Sequence, residues 1–168
     1  QAKTLFPYTT LFRSNKGLIC NLSNEELIDI ILNNIDDQNT KDRIIDAKDR
    51  ILKGLDEIKK RSRTLYDIID LVEIYFKNQY YDVKIDNEHD INLLINFTNM
   101  CQNLKNYDTI ESDIREFCSS KNIKFSHLAS LLRMILTNRS ISPGIFNIIS
   151  ILQDETVKRI KYIIDRSE

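Results

Sequence analysis

The stretch "FSHLASLLRMILTNRSISPGIFNIIS", residues 125–150, decides how the chain folds. Leu128, Leu131, Leu132 and Ile135 recur at helical spacing, which predicts a helix with one apolar face. Thr137-Asn138 ends it, because Asn tolerates the left-handed backbone that closes many helices. Ser142-Pro143 opens the next helix: Ser caps well, and Pro lacks only an N–H that has no partner at the first helical position. Ile145, Ile148, Ile149 and Leu152 give that second helix its apolar face. Arg133 lies among apolar neighbours, Arg139 follows the break, and the helix start at Ser142–Ile145 sets unpaired N–H groups beside these two cations. Such a grouping suits a polyanion or exposed bases. An ordinary helical hairpin whose arginines reach solvent explains the same spacing.

Outward from the hairpin, the periodicity stays helical. Ser23 is a cap with Glu25 and Glu26 in the first turn, and Leu27, Ile30, Ile31 and Ile35 form a stripe. Residues 40–61 predict one longer helix, with Ile44, Ala47, Ile51, Leu55 and Ile58 along one side. It ends in "KKRSR" (59–63), cations well placed at a helix C-terminus and open to a nucleic-acid backbone. Thr64 caps a third helix that turns Leu65, Ile68, Ile69, Val72, Tyr75 and Phe76 inward. Tyr80 and Tyr81, in the following connection, pack over a helix end or stack on bases. Residues 90–105 predict a fourth helix, and Asp108-x-x-Glu111 resembles a capping box for a fifth. Asp154 is expected to cap the last helix, with Val157, Ile160 and Ile164 inside and Lys158, Arg159 and Lys161 on or beside the polar side. No strand pattern of useful length appears. The predicted fold is all-α, a helical bundle of two small subdomains, 15–88 and 89–168, because short amphipathic helices must bury their stripes against one another.

Composition narrows the function. The 168 residues are 42% hydrophobic and 29% charged, as in a packed protein rather than a disordered one. A net charge of −1 gives no global basic signal, so any nucleic-acid surface must be local. Residues 125–168 hold six cations against four carboxylates, a mild local excess. Cys20, Cys101 and Cys118 form no C-x-x-C pair and no metal spacing with His, and an odd count suits a reducing cytoplasm. There is no apolar run long enough to span a membrane. Residues 4–14, "TLFPYTTLFRS", read like the translation of a sequencing adapter, so 1–14 are expected to be an artefact and not native sequence.

The order of residues in the hairpin carries a resemblance. "LLRMILTNRSISPGIFNIISIL" is similar to the C-terminal signature of bacterial glutamate–tRNA ligases, close to L-R-x-A-L-T-G-x-x-x-S/T-P-x-L-F-x-x-L-x-L-L-G. Leu132, Arg133, Leu136, Thr137, Ser142, Pro143 and Phe146 match, and Ile145, Ile148 and Ile149 are conservative changes. Asn138 replaces the first glycine of that pattern, Gln153 replaces the last, and Arg159-Ile160 resembles the closing R-L. The opening "NKGLICNLSNEELIDIIL" loosely resembles the start of the family's first anticodon-binding subdomain, with Cys20 where many members have Arg.

The resemblance implies an all-α anticodon-binding region, truncated upstream, in which Arg133, Ser142, Pro143 and Ile145 face the tRNA anticodon, with Arg139 and Cys20 as weaker contacts. It implies that the intact enzyme attaches glutamate to tRNA(Glu), and in relaxed enzymes also to tRNA(Gln), using ATP and Mg²⁺ as a cytoplasmic monomer. The H-I-G-H-like and K-M-S-K-S-like motifs of that chemistry are absent here, so no catalytic or metal-binding residue is expected in this fragment. The rival reading is a stand-alone helical protein-interaction module with no RNA ligand.

Overall fold

In the computed structural model, the described residues are 16–104 and 106–167, without the side chains of Lys16 and Leu18. The adapter-like residues 1–14 lie outside them. Among the described residues the regular structure is entirely helical, and the chain divides into two compact units, Gln1–Phe76 and Lys77–Glu168.

The first unit contains α1 (Lys16–Asn21), α2 (Asn24–Asn34), α3 (Gln38–Asp46), α4 (Lys48–Arg61) and α5 (Leu65–Val72), followed by a 3₁₀ turn at Glu73–Tyr75. Three of its helix starts, those of α2, α3 and α5, are closed by side chains. Ser23 and Glu26 form a reciprocal capping box on α2, and Thr64 and Asp67 form another on α5. On α3, Asp37 accepts the Thr40 N–H at 2.8 Å. The long helix expected over 40–61 is two helices, α3 and α4. They break at Ala47, whose φ of −97° and ψ of 7° lie outside the helical well. Periodicity misses this break because Ile44, Ala47 and Ile51 remain buried on both sides of it. Gly54 faces the Tyr75 ring so closely that a Cβ would collide with it. Burial pushes the Tyr75 hydroxyl pKa upward.

The basic run 59–63 is not an open stripe. Lys59 is buried and its Nζ donates to the Leu22 carbonyl at 2.6 Å. Lys60 and Arg61 each pair with Glu57 at 2.6 Å.

The second unit contains α6 (Glu88–Gln102), α7 (Ile110–Ser120), α8 (Phe125–Thr137), α9 (Ile145–Leu152) and α10 (Asp154–Asp165). Helix α10 packs on α6 and α8, while α7 packs on α8 and α9. Leu94, Phe97, Leu128, Leu132, Leu136, Ile148, Ile149, Leu152 and Ile160 are fully buried between them. Here the left-handed backbone does much of the turning, at Asn78, Asn122, Asn138 and Gln153. Asn122 closes α7: its N–H donates to the Ser119 carbonyl at 3.1 Å, and the Ile123 N–H donates to that of Cys118 at 3.0 Å. Tyr80 stacks on Tyr162 of α10, with ring centroids 4.6 Å apart, so it packs on a helix.

Three expected helix starts are built differently. Helix α7 begins after Thr109, which makes no side-chain cap, and the Thr109 hydroxyl donates to Asp113 at 2.8 Å; Asp108 and Glu111 form no capping box. Asp154 is the first residue of α10, not its cap; the cap position is Gln153. Helix α9 starts at Ile145, because Gly144 has an extended ψ of 140° that cannot continue a helical turn through Ser142-Pro143.

Candidate functional site

The expected site residues of the hairpin lie in the second unit, around the end of α8. Helix α8 forms because its apolar residues recur at helical spacing: Leu128, Leu131, Leu132, Ile135 and Leu136 are all buried. It ends at Asn138 in the left-handed conformation, φ 47° and ψ 34°, with the Asn138 N–H on the Met134 carbonyl at 2.9 Å. That reversal lets Arg139 approach the same helix end that carries Arg133.

One buried hydroxyl ties these two cations together through their backbones. The Thr137 hydroxyl donates to the Arg133 carbonyl at 2.8 Å and accepts the Arg139 N–H at 3.2 Å. Thr137 is itself wholly buried. Beside it opens a shallow hollow of about 450 Å³, lined by Ser130, Arg133, Met134, Asn138, Arg139 and Ser140. Arg133 and Arg139 are half-buried, and the Arg133 Nε is buried without a hydrogen-bond partner. Exposed Met134 and Ile141 add apolar surface next to the cations. Two guanidinium groups, an amide, two hydroxyls and a thioether in one open hollow can pair with a base edge or phosphate and cover a base face.

Not every expected residue reaches this hollow. Arg133 and Arg139 do. Ser142, Pro143 and Ile145 are buried behind the turn, and the Ser142 hydroxyl donates to the Pro143 carbonyl at 3.1 Å instead of capping α9. No side chain caps the first turn of α9. Cys20 is exposed on α1, in the first unit. Cys101 and Cys118 are buried, and burial raises the pKa of both, that of Cys101 to about 12.

Arg159, expected on or beside the polar side of α10, is 1% exposed. Its Nη1 donates to the Leu136 carbonyl at 2.9 Å, one of the helix-end carbonyls of α8 that has no partner within the helix. Sequence reasoning also missed Met134, Asn138, Ser130 and Ser140 as lining residues. Ser130, Met134 and Asn138 follow one another at i+4 along α8 and its cap, with Arg133 at i+3 from Ser130, which is the signal that could have grouped them; Ser140, beyond the cap, had none.

Residues 24–164 match the anticodon binding domain family, and the chain belongs to that family. Glutamate–tRNA ligase 2 of Wolbachia sp. subsp. Brugia malayi is 30% identical over 158 residues, covering 89% of this chain and 34% of that protein. Glutamate–tRNA ligase 1 of Campylobacter hominis is 30% identical over 181 residues, covering all of this chain and 36% of that protein. The chain thus spans about a third of the length of the curated relatives it matches. In fold it is similar to the crystal structure of a glutamate tRNA ligase from Elizabethkingia meningosepticum, with a TM-score of 0.71 at 16% identity, over 92% of this chain and 31% of that one. None of these likenesses supports the stand-alone interaction module.

Proposed function

We propose that this chain is the C-terminal, anticodon-binding part of a glutamate–tRNA ligase, and that it holds the anticodon loop of tRNA(Glu). The observation that carries the reading is the pairing of Arg133 and Arg139 on one open hollow at the end of α8. Unstacked loop bases offer edges to a guanidinium and faces to an apolar side chain. Arg133 makes the direct contact, Arg139 adds a second cation, and Ser142, Pro143 and Ile145 shape the turn from behind. In this reading the two helical anticodon-binding subdomains are the two compact units, divided between Phe76 and Lys77 rather than between 88 and 89, with Cys20 in the first. In the whole enzyme, glutamate is joined to the tRNA in an ATP- and Mg²⁺-dependent reaction, by a cytoplasmic monomer. By the same proposal, other parts of that enzyme use ATP and Mg²⁺; among the described residues, no group of three or more His, Cys, Asp or Glu could hold a metal ion. No helix among the described residues is long and apolar enough to cross a membrane.

The test is Arg133→Ala, with tRNA affinity and thermal midpoint measured on the same preparation. Losing a base contact is expected to weaken tRNA(Glu) binding by roughly 1–3 kcal/mol. Arg166→Ala, which removes a guanidinium that pairs with Asp82 at 3.3 Å, is the control and leaves binding near its starting value. Unchanged affinity in folded Arg133→Ala would sink the role. Running tRNA(Gln) alongside reports whether the hollow separates the two tRNAs.

A further inference from the structure

We infer that Arg159 is a positioning residue for RNA binding: it touches no RNA, but holds the end of α8 so that Arg133 and Arg139 keep their spacing. The inference rests on the RNA-binding reading above. A guanidinium that is 1% exposed is costly to bury and persists only where the fold gives it partners. The Arg159 Nη1 meets the Leu136 carbonyl at 2.9 Å, at the negative end of the α8 dipole, where a cation is favoured. Leu136 lies between the two cations in sequence, next to Thr137, whose hydroxyl joins the Arg133 carbonyl to the Arg139 N–H. The bond from Arg159 therefore reaches the middle of the turn that spaces the cations.

One turn earlier on α10, Glu155 is 3% exposed and accepts the Asn78 N–H at 2.8 Å. The buried face of α10 thus fixes backbone at two distant points of the second unit, each by a charged side chain. Arg fits the α8 end better than Lys, because its planar fork presents several donors in a fixed geometry.

The test measures binding of the full chain to a tRNA(Glu) anticodon stem–loop, well below the thermal midpoint, for Arg159→Lys and Arg159→Met, each with and without Arg133→Ala. Arg159→Lys keeps the charge and serves if Arg159→Met does not fold. The folded variant is expected to bind about tenfold more weakly, and adding Arg133→Ala should cost much less than it does alone, because coupled residues are not additive. A residue that only stabilises the fold would lower the midpoint and leave that affinity and that coupling untouched. Folded Arg159→Lys with full affinity, or losses that multiply independently, would overturn the inference alone. No binding by the unaltered chain would defeat the RNA-binding reading and the inference with it.

Discussion

The two units close most of their helices by different means; the exceptions are α4, which starts uncapped after Ala47, and α6, which Asn87 caps. In the first, side-chain oxygens do it locally: Ser23 with Glu26, Asp37 with Thr40, and Thr64 with Asp67. In the second, helices α7 to α10 start with no side-chain cap bond. Turning there falls to left-handed Asn122 and Asn138 and to Gln153, and long-range bonds from Glu155 and Arg159 fix backbone far away in sequence. A local cap costs little order and is worth about 1 kcal/mol. A long-range bond from a buried charge is strong only once the unit has assembled around it. The unit with the candidate site thus depends on its tertiary structure to set its turns.

The largest expected effect tests packing in the first unit. Gly54→Ala places a Cβ against the Tyr75 ring, and overpacking of this kind costs roughly 1–3 kcal/mol despite Ala's better helix propensity. A thermal midpoint that holds or rises would mean that the Tyr75 ring moves aside freely.

Next comes the turn at the site. Asn138→Val forces a β-branched residue into left-handed backbone, at a cost of roughly 1–2 kcal/mol, while Asn138→Gly stays near neutral. Equal denaturation midpoints for Asn, Gly and Val would show that the turn does not need positive φ.

A smaller change of opposite sign is expected at Gln153. Its φ of 51° and ψ of −122° belong to a region that glycine adopts readily and side chains avoid. Gln153→Gly relieves that strain, offset in part by glycine's greater chain entropy, for a net gain of about 1 kcal/mol. A fall in the chemical-denaturation midpoint would count against it.

The smallest effect is a difference in acid response. Hydrogen bonds from the Ser23 backbone and hydroxyl hold the Glu26 pKa down, and those from the Thr40 hydroxyl and N–H do so for Asp37. Lys60 and Arg61 lower that of Glu57. For Asp67, burial pushes the pKa up, but the Arg63 and Thr64 N–H groups and the Thr64 hydroxyl outweigh it and the net shift is downward. Depressed folded pKa values mean that the stabilisation is fully present above the ordinary carboxylate range and is lost as pH falls through the folded values. All four carboxylates lie in the first unit. The gap in thermal midpoint between the unaltered chain and Asp67→Asn should be widest near neutral pH and close on acidification. A gap that persists at low pH would show that the carboxylate charge is not what the capping box uses.

Much of this was legible in the residues. Spacing at 3.6 located α8 and α9, Ser23 and Thr64 marked true caps, and Asn138 announced a left-handed turn. The motif order around Arg133 pointed to anticodon binding before any contact was known. Where sequence reading failed, a second element was involved. The helix expected over 40–61 breaks at Ala47, and spacing does not reveal the break because both halves bury the same stripe. Ser142 looks like a cap in isolation, yet it lies buried and the helix waits for Ile145.

By itself, then, the sequence determined the all-helical class, the break at Asn138 and the family, because these rest on local backbone preference and on residue order. Only the tertiary structure decided which residues line the hollow and which hide behind it. It also showed Arg159, expected on or beside the polar side of α10, to be a buried tie on α8. The physical reason is range. Helix spacing and caps act over three or four residues, whereas Arg159 and Leu136 stand 23 residues apart and meet only when α8 and α10 pack.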